Sequence, residues 1–201
     1  MVIIGYSGHA FVACSILKAA GLAVTAYCDK EEKALNPFHL KYLGEEDSEQ
    51  AIAAFKETPI FIGVGNNGIR KKIYHKIAGN NGRFINAVHP SAIICPTTVI
   101  GSDTVMIAAG AIIQPLAVIG AGAICNTGSI IEHECNVGAF AHIGPGTVLC
   151  GNVSIGEGSF IGAGAVVRQG ISIGRDCMIG AGSVVVKNVP DNTTVVGVPA
   201  R

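Results

Sequence analysis

The sequence predicts a two-part fold: an α/β N-terminal domain over residues 1–88, followed over residues 89–201 by a β-helix, a coiled stack of short parallel strands. Two observations support this prediction. In the first part, strand-like and helix-like segments alternate, which is typical of a parallel sheet covered by helices. In the second part, aliphatic residues recur at every sixth position, a period that fits neither a helix nor an isolated strand.

The first part contains four predicted strands and two predicted helices around a short parallel sheet. The strands are MVII, LAVTAYC, TPIFIGVG and RFINAV. The helices are FVACSILKAAG and residues 66–80, and the second has Asn66 or Asn67 as its N-cap. This length accommodates one mononucleotide-binding half, so we predict a Rossmann-like half rather than a complete dinucleotide-binding fold. The connection from Glu31 to Glu57 reads as long and polar.

The turn GYSGHA, residues 5–10, has the position of a nucleotide-binding turn. It follows the first strand and opens a helix, and Asp29 follows it after about 20 residues, where an acid contacts a ribose or base. The turn is not a complete G-x-G-x-x-G motif, and a nicotinamide-binding module is the alternative. The short domain favours a nucleotide-linked substrate. His9 has a helix cap as its alternative role, but the glycines of the turn favour ligand contact.

The second part repeats with a period of six residues. From Ile119 to Val185, twelve positions spaced six apart are aliphatic except for Cys125, and ten of the twelve residues two positions earlier are small. This period fits a short strand plus a corner, with the aliphatic residue inward and glycine relieving strain at the turn. Three sides form a coil of about 18 residues, and coils bury their apolar faces against each other as a solenoid. A purely structural solenoid is the alternative to an enzyme.

The repeat also explains the most apolar stretch of the chain. The same series runs through Ile100, Met106 and Ile112 and slips by one residue near Pro115. Residues 105–124 are long enough to span a bilayer. Because Pro115 interrupts the stretch and the stretch continues the repeat, we predict no membrane span.

Charge and cysteine usage indicate which partners, which cellular compartment and which metal content to expect. The formal net charge is zero, so nothing in the composition points to nucleic acid or to an anionic membrane. Seven scattered cysteines without a C-x-x-C pair predict reduced, mostly buried thiols and a cytoplasmic protein. The His, Cys and acidic residues lack ordinary zinc spacing, so we expect no metal.

The segment SIIEHECNVGAFAHIGPG, residues 129–146, places charge where the repeat otherwise has little. His133 lies between Glu132 and Glu134, and such a charged cluster in a repeat otherwise poor in charge favours a functional histidine over an exposed surface histidine. Successive side chains of a strand face apart, so His133 and Glu134 meet only where a corner redirects one of them. Cys135 as a covalent nucleophile is an alternative, although its place in the small-residue row favours packing.

His142 follows His133 by nine residues, half of one coil. The two side chains are therefore predicted to lie on different sides of the coil and to meet only across a subunit boundary. This predicts an active site between subunits. The alternative for His142 is a polar spacer before Ile143.

Several segments together resemble the NeuD/PglD-type sugar O/N-acyltransferases of the hexapeptide-repeat superfamily. They are GYSGHA, AYCDK, IGVGNNGIRKK, NTGSIIEHECNVGAFAHIGPGTVLCGNV and VVGVPAR. Within the family they most resemble the UDP-4-amino-sugar N-acetyltransferases of the UDP-N-acetylbacillosamine type. The resemblance implies a left-handed parallel β-helix of hexapeptide repeats that binds acetyl-CoA, and an N-terminal domain that binds a UDP-amino-sugar. It also implies a homotrimer with active sites between adjacent β-helices.

The resemblance also implies roles for individual residues. His133 corresponds to the catalytic base, Glu134 to the acid that raises its basicity, and His142 to a contact with the acetyl group of acetyl-CoA. Lys30 stands where the family can have a second acid, which alters the expected ribose or uracil contacts. The remaining implied positions are those for the sugar nucleotide, Ser7, Gly8, His9, Asp29 and Gly65, and those for CoA, Ala163 and Ala181.

The leading functional hypothesis is acetyl transfer from acetyl-CoA to the 4-amino group of a UDP-4-amino-4,6-dideoxy sugar in bacterial glycan biosynthesis. A second enzymatic hypothesis is O-acetylation of a sugar or sialic acid by the same groups, since one base serves either nucleophile. A hypothesis of another class is a non-catalytic trimer that binds a sugar nucleotide.

Overall fold

A computed structural model describes residues 1–79 and 82–201. The α/β unit contains a parallel sheet in the order β3-β2-β1-β4. Its elements in chain order are β1 Val2–Ile4, α1 Gly8–Ala19, β2 Ala26–Cys28, β3 Lys41–Tyr42, α2 Glu49–Glu57, β4 Ile60–Ile62 and α3 Asn67–Ala78.

Strands β1, β2 and β4 and helix α3 are found with shorter bounds than predicted, whereas helix α1, predicted over 11–21, begins earlier and spans Gly8–Ala19. The runs β1, β2 and β4 are buried throughout, as expected for strands covered on both faces. Helix α3 has Asn66 as its N-cap, whose side chain accepts a hydrogen bond from the Ile69 backbone N–H. The last residue of the predicted helix over 66–80 lies outside the described residues.

Two segments differ from their predictions. The polar connection from Glu31 to Glu57 contains strand β3 and helix α2, which Ser48 caps by accepting a hydrogen bond from a backbone N–H. The predicted strand RFINAV is divided: Phe84 forms an isolated bridge to Ile60, while Ala87–Val88 pairs with a strand of the second part. The β-helix sheet therefore begins two residues before the predicted boundary.

The second part is a left-handed parallel β-helix built from two-residue strands on three faces. Sheet 2, which faces the α/β unit, contains β5 Ala87–Val88, β8 Met106–Ile107, β11 Ile124–Cys125, β14 His142–Ile143, β17 Phe160–Ile161, β20 Met178–Ile179 and β22 Thr194–Val195. Sheet 3 contains β6 Ile93–Ile94, β9 Ile112–Ile113, β12 Ile130–Ile131, β15 Val148–Leu149, β18 Val166–Val167 and β21 Val184–Val185. Sheet 4 contains β7 Val99–Ile100, β10 Val118–Ile119, β13 Asn136–Val137, β16 Ser154–Ile155 and β19 Ser172–Ile173.

The six-residue period is confirmed along the interior of the β-helix. All twelve repeat positions from Ile119 to Val185 are buried in one cluster. Equivalent residues of successive coils pair in parallel, as Ile131 does with Leu149 eighteen residues later. Each coil therefore buries its aliphatic residues against the coils above and below it.

The one-residue slip lies earlier than predicted. Ile119 pairs with Ile100, whereas Cys125 pairs with Ile107, so the extra residue lies between Ile100 and Ile107 and not near Pro115. The prediction near Pro115 was wrong because Met106 and Ile112 are also aliphatic and mimic the inward series.

The extra residue serves the contact between the two parts. Ile107 and Ile113 fill the β-helix core, while Met106 points outward into the cluster formed with α1. Thr104 is buried, and its hydroxyl accepts a hydrogen bond of 3.2 Å from the Ile62 backbone N–H. The longer corner thereby supports the end of strand β4.

Glycine in the repeat serves two purposes. At Gly120, which follows an inward aliphatic residue, an added Cβ would lie 2.5 Å from the Ala139 backbone nitrogen of the next coil. Glycine after the inward residue is thus required by close coil stacking, rather than by turn strain as the sequence suggested. The left-handed backbone conformation instead falls three residues after the inward position, as at Gly128 with φ of 64°.

All seven cysteines are free thiols, and five of them are buried. Within residues 1–79 and 82–201, no helix is both long and apolar enough to cross a membrane.

Candidate active site

Three loops meet at the carboxyl edge of the α/β sheet. Strand β1 leads into Ser7, Gly8 and His9, β2 leads into Asp29, and β4 leads into Gly65. Because β1 lies between β2 and β4, these loops are neighbours, and the crevice at such a strand edge is where α/β sheets bind ligands. The structure therefore brings together the substrate-binding positions that the sequence predicted in the N-terminal part.

The N-terminus of α1 is open to solvent. Ser7 is the N-cap residue, but its side chain makes no capping hydrogen bond, and it is exposed. An added Cβ on Gly8 would meet no atom within 4 Å. The first backbone N–H groups of the helix are thus free to receive an anion.

Asp29, for which the sequence predicts a ribose or base contact, holds the GYSGHA turn in place. One carboxylate oxygen accepts a hydrogen bond of 2.8 Å from the Tyr6 backbone N–H, and the other accepts one of 2.7 Å from the Lys30 backbone N–H. Lys33 forms an ion pair with the same carboxylate at 3.3 Å. The Lys30 side chain is exposed. Sequence reasoning did not anticipate that Asp29 also stabilises the turn.

His142 is buried where sheet 2 meets the α/β unit. Its Nδ1 lies 3.3 Å from the Gly65 carbonyl oxygen, and its Nε2 lies 3.1 Å from Nδ2 of Asn126. A carbonyl only accepts, so Nδ1 carries the proton and Nε2 accepts from the Asn126 amide. The ring also packs edge-to-face on Phe160, with centroids 4.7 Å apart. The imidazole is thus fixed in one tautomer and one orientation.

His9 lies beside His142, with ring centroids 5.9 Å apart. The Nε2 atom of His9 is buried and makes no hydrogen bond within the described structure. Burial, aided by the Arg70 charge, lowers the pKa of His9 to about 4. Burial likewise lowers the pKa of His142 to about 4, with Arg70 and His9 acting in the same direction. Both imidazoles are therefore neutral at pH 7.

A cavity of about 470 Å³ opens next to His142. It lies between the N-terminus of α3 and the outer face of sheet 2, where aromatic and aliphatic side chains meet polar groups. Its lining includes Gly65, Asn66, Asn67, His142, Phe160 and Asp176. A ligand held by the loops of the α/β unit can therefore reach the β-helix through this cavity.

His133 occupies a different region, the corner between sheets 3 and 4. Its Nδ1 lies 3.0 Å from a carboxylate oxygen of Glu134, and the His133 side chain is 51% exposed. Glu134 adopts the left-handed conformation with φ of 60°, so the corner turns its side chain back towards His133. The sequence left open whether a corner redirects one of the pair, and the structure provides that redirection.

The next coil supports the His133 ring. An added Cβ at Gly151 would lie 2.5 Å from both Cε1 and Nε2 of His133, so the ring lies directly over this glycine. Only a residue without a side chain leaves room for the ring in this position. Gly151 was not singled out from the sequence, although its place one coil after His133 could have identified it.

Cys135 is a packing residue. It is fully buried, and its thiol donates a hydrogen bond of 3.1 Å to the Cys150 carbonyl oxygen. Burial raises the pKa of the Cys135 thiol, which disfavours the thiolate. This geometry argues against the alternative of an acyl-carrying cysteine.

Ala163 and Ala181 stack in the corner between sheets 2 and 3. Both are exposed, and the Gly182 N–H donates to the Ala163 carbonyl oxygen in the ladder that runs along this corner. The left-handed positions of the corner are all glycine, and an added Cβ would meet no atom within 4 Å at any of the last four. These are Gly110, Gly128, Gly146, Gly164 and Gly182. The corner is therefore a smooth, open edge along several coils.

The structure brings some predicted residues together and keeps others apart. His142 and His9 lie close to Gly65 in the cleft between the α/β unit and sheet 2. His133 and Glu134 lie instead at the corner between sheets 3 and 4. In the part of the chain that the structure describes, no hydrogen bond or ring contact joins His133 to His142. Within the same range, no three His, Cys, Asp or Glu side chains form a group that could hold a metal ion.

Comparison with protein families identifies both parts of the chain. Residues 1–77 match the PglD N-terminal domain, and residues 128–169 and 152–187 match the bacterial transferase hexapeptide model of six repeats. A UDP-N-acetylbacillosamine N-acetyltransferase of Bacillus subtilis (strain 168) is 37% identical over 108 residues. That match covers 53% of this chain and 50% of the relative, so it spans half of the length of that curated relative.

Solved structures match the whole chain. A perosamine N-acetyltransferase from Caulobacter crescentus, determined as a His-to-Asn variant with CoA and GDP-perosamine, is 37% identical with a TM-score of 0.93. The match covers 100% of this chain and 94% of that one. The acetyltransferase domain of PglB from Neisseria gonorrhoeae FA1090, in complex with acetyl coenzyme A, is 32% identical with a TM-score of 0.90. This match covers 100% of this chain and 97% of that one.

Proposed function

Because the chain belongs to the hexapeptide-repeat sugar N-acetyltransferases with a PglD-type N-terminal domain, we propose that it acetylates a nucleotide-linked amino sugar. In this proposal the acetyl group of acetyl-CoA moves to the 4-amino group of a UDP-4-amino-4,6-dideoxy-N-acetyl-sugar by direct attack. The observation that carries it is the exposed His133–Glu134 pair on a corner of the β-helix.

His133 acts as the general base. With Nδ1–H donated to the Glu134 carboxylate, the lone pair of Nε2 is free to accept a proton. The sugar nitrogen forms a bond to the thioester carbon, and its proton passes to Nε2 of His133. The carbon–sulfur bond then breaks, and the proton moves from His133 to the departing CoA sulfur. Glu134 stabilises the imidazolium that exists between these steps.

The corner between sheets 2 and 3 supports the binding of acetyl-CoA along the β-helix. Its left-handed glycines leave the edge open, and Ala163 and Ala181 are small and exposed there. A long, thin ligand can lie along such an edge without meeting side chains. His142, on the strand that leads into this corner, is proposed to contact the acetyl group.

The sugar nucleotide is proposed to bind at the carboxyl edge of the α/β sheet. The open N-terminus of α1 at Ser7 and Gly8 supports a diphosphate there, since helix N-termini attract anions. His9, with its unpartnered buried Nε2, and Gly65 border the path towards His142. Asp29 and Lys30 lie at the end of β2, where the ribose or base is expected.

A GDP-linked amino sugar is the second candidate substrate. The Caulobacter crescentus enzyme, whose likeness covers the whole chain, was determined with GDP-perosamine, whereas the curated Bacillus subtilis relative carries a UDP-sugar in its name over a match of half its length. Assays with the UDP- and GDP-linked 4-amino sugars, compared by kcat/KM, separate the two candidates.

We also propose a homotrimer in which each active site lies between two protomers. The support is the outer face of sheet 3, where every outward residue is a β-branched aliphatic side chain, in contrast to the polar outer face of the later strands of sheet 4. Contiguous apolar surface of this kind marks an interface between proteins. The outward residues of sheet 3 are Ile93, Ile112, Ile130, Val148, Val166 and Val184.

Acetyl transfer by the His133→Ala variant tests the proposed base. Loss of a general base lowers kcat by about 1,000-fold. His75→Ala, which removes an exposed histidine from helix α3, is the matched control and is expected to keep wild-type activity. An unchanged rate in His133→Ala would remove this residue from the mechanism. Parallel assays with hydroxyl acceptors test the alternative of O-acetylation, which predicts faster transfer to oxygen than to the amine.

Binding measurements test the non-catalytic alternative. Calorimetry with acetyl-CoA and with the UDP-amino-sugar is expected to show binding of both ligands. Binding of the sugar nucleotide without any binding of acetyl-CoA would favour a sugar-nucleotide-binding trimer.

A further inference from the structure

A buried arginine joins the two parts of the molecule next to His142. Arg70, on helix α3, is 1% exposed. Its guanidinium uses all of its donor directions, with four backbone carbonyls and one side-chain amide as acceptors at 2.8–3.0 Å. The acceptors are the carbonyls of Gly122, Phe140, Val64 and Gly65 and the amide oxygen of Asn67.

These acceptors belong to two different parts of the chain. Gly122 and Phe140 lie at the same corner of two successive coils, the corner between sheets 4 and 2, and both have the left-handed conformation. Val64 and Gly65 form the loop after β4 of the α/β unit. A guanidinium presents its donors in a rigid planar fork, so it fixes the distance and angle between the loop and the corners. A flexible side chain with one charged head cannot hold this arrangement.

The Gly65 carbonyl oxygen links Arg70 to His142. It accepts a hydrogen bond of 3.0 Å from Nη1 of Arg70, and it lies 3.3 Å from Nδ1 of His142. Since a carbonyl oxygen has two lone pairs, one oxygen can serve both donors. Any movement of this carbonyl removes the acceptor that selects the Nδ1–H form of His142.

We infer that Arg70 is a positioning residue, which fixes the Gly65 carbonyl and thereby the tautomer and ring orientation of His142. Its role in acetyl transfer rests on the proposed function, whereas its effect on the His142 tautomer does not. Arg70 itself is enclosed by protein acceptors and has no donor left for a substrate. It acts through His142 rather than on the reacting atoms.

The surroundings of His142 agree with this role. The titratable groups that act on its ring are His9 from α1 and Arg70 from α3, and Asp176 lines the same cavity. Burial lowers the pKa of His142, and the Arg70 charge adds to this effect. Burial is thus the main reason that the imidazole is neutral, and the guanidinium charge supports it. A neutral ring is needed for a fixed tautomer.

The test compares Arg70→Lys, which keeps the charge but loses the fork, with the wild-type enzyme. Lys71→Ala is the matched control, since it breaks the ion pair to Glu157 that also joins α3 to the β-helix. Selective ¹⁵N-histidine labelling and NMR report the protonated nitrogen of His142. Arg70→Lys is expected to lose the pure Nδ1–H signature and to lower kcat/KM by about 100-fold, the cost of misplacing a reacting group by an ångström. Lys71→Ala is expected to keep both wild-type values.

The outcomes separate this inference from the proposed function. A wild-type tautomer at Nδ1 that persists in Arg70→Lys overturns the inference, as does an equal kinetic loss in Lys71→Ala. If wild-type enzyme transfers no acetyl group, the proposed function fails while the NMR comparison still decides the role of Arg70. If Arg70→Lys does not fold, Arg70→Gln is measured in the same way, and persistence of the Nδ1–H form in that variant overturns the inference. A wild-type spectrum with Nε2–H at pH 7 overturns it without any variant.

Discussion

The corner that carries His133 and the cleft that holds His142 give the same side chain two different chemical environments. His133 is half exposed beside the Glu134 carboxylate, whereas His142 is buried beside a guanidinium. Water and a carboxylate allow an imidazole to exchange a proton and to carry positive charge. Burial near Arg70 holds an imidazole neutral and fixes its hydrogen bonds. In the proposed function, the corner therefore carries out proton transfer and the cleft positions the acetyl group.

The largest predicted effect comes from dissociating the subunits, which separates the His133 corner of one protomer from the His142 cleft of its neighbour. Val148→Lys places a charge in the middle of the apolar outer face of sheet 3, and burial of an unpaired charge costs several kcal/mol. If corner and cleft complete each other across a subunit boundary, dissociation removes activity by at least about 1,000-fold. Sedimentation velocity and acetyl-transfer assays measure both changes.

The matched control for Val148→Lys is Ser154→Lys on the exposed outer face of sheet 4. It adds the same charge and is expected to leave both assembly and activity unchanged. Full activity in a monomeric Val148→Lys protein would show that one protomer contains the complete site.

A smaller effect is predicted when the His133 ring is displaced without being removed. Gly151→Ala adds a methyl group 2.5 Å from the ring atoms Cε1 and Nε2, so the ring must move. Misplacement of a catalytic group by an ångström lowers kcat by about 100-fold. Gly79→Ala is the control, because its added Cβ meets no atom within 4 Å. Equal activities of the two variants would contradict the placement of His133.

Removal of one carboxylate charge tests the partner of His133. Glu134→Gln keeps the size of the side chain but replaces a charged hydrogen bond by a neutral one, which lowers kcat by about tenfold. Glu132→Gln removes the charge on the other side of His133. It is expected to leave kcat near the wild-type value, since the Glu134 carboxylate still accepts from Nδ1. A larger loss in Glu132→Gln than in Glu134→Gln would reverse the assignment of the partner.

The smallest effect is a pH dependence of stability that belongs to the cleft. His9 and His142 have folded pKa values of about 4, below the 6.5 of an unperturbed histidine, so the unfolded chain binds more protons between these values. Their contribution to stability is complete above pH 6.5 and is lost as the pH falls towards 4. Each contributes a slope of roughly 1.4 kcal/mol per pH unit within this window.

Urea unfolding of wild type and of His142→Asn between pH 7 and pH 5 measures this slope. In the variant, the slope that the two histidines together contribute to the pH dependence of stability is expected to fall by about half. An identical slope in both proteins would show that His142 is charged or exposed in the folded state.

The β-helix was predictable from sequence because its contacts are local and repeat. Each inward residue meets its equivalent one coil away, so the period of six determines both burial and register. The slip was assigned to Pro115 instead of the segment between Ile100 and Ile107, since outward and inward positions are both aliphatic there. Strand β3 and helix α2 were missed because a polar connection shows no clear period.

The sequence could propose the residues of the candidate site but not their contacts. The EHE cluster identified His133 and Glu134, yet only the left-handed corner at Glu134 brings the two side chains together. Arg70 lies in the segment IGVGNNGIRKK, but the sequence predicted no role for it, because a buried arginine cannot be distinguished from a surface arginine by sequence. Its function depends on carbonyls from distant parts of the chain, as at Gly122, which no local pattern reveals.

Mixed trimers test the central claim, that His133 of one protomer and His142 of another form one active site. His133→Ala and His142→Asn are each expected to be nearly inactive. His142→Asn is expected to lower activity by about 100-fold because two hydrogen bonds are lost. In trimers assembled from equal amounts of both variants, about a quarter of the sites receive both wild-type histidines from different protomers. The account predicts recovery of about a quarter of wild-type activity. Activity that stays at the level of the separate variants would contradict it.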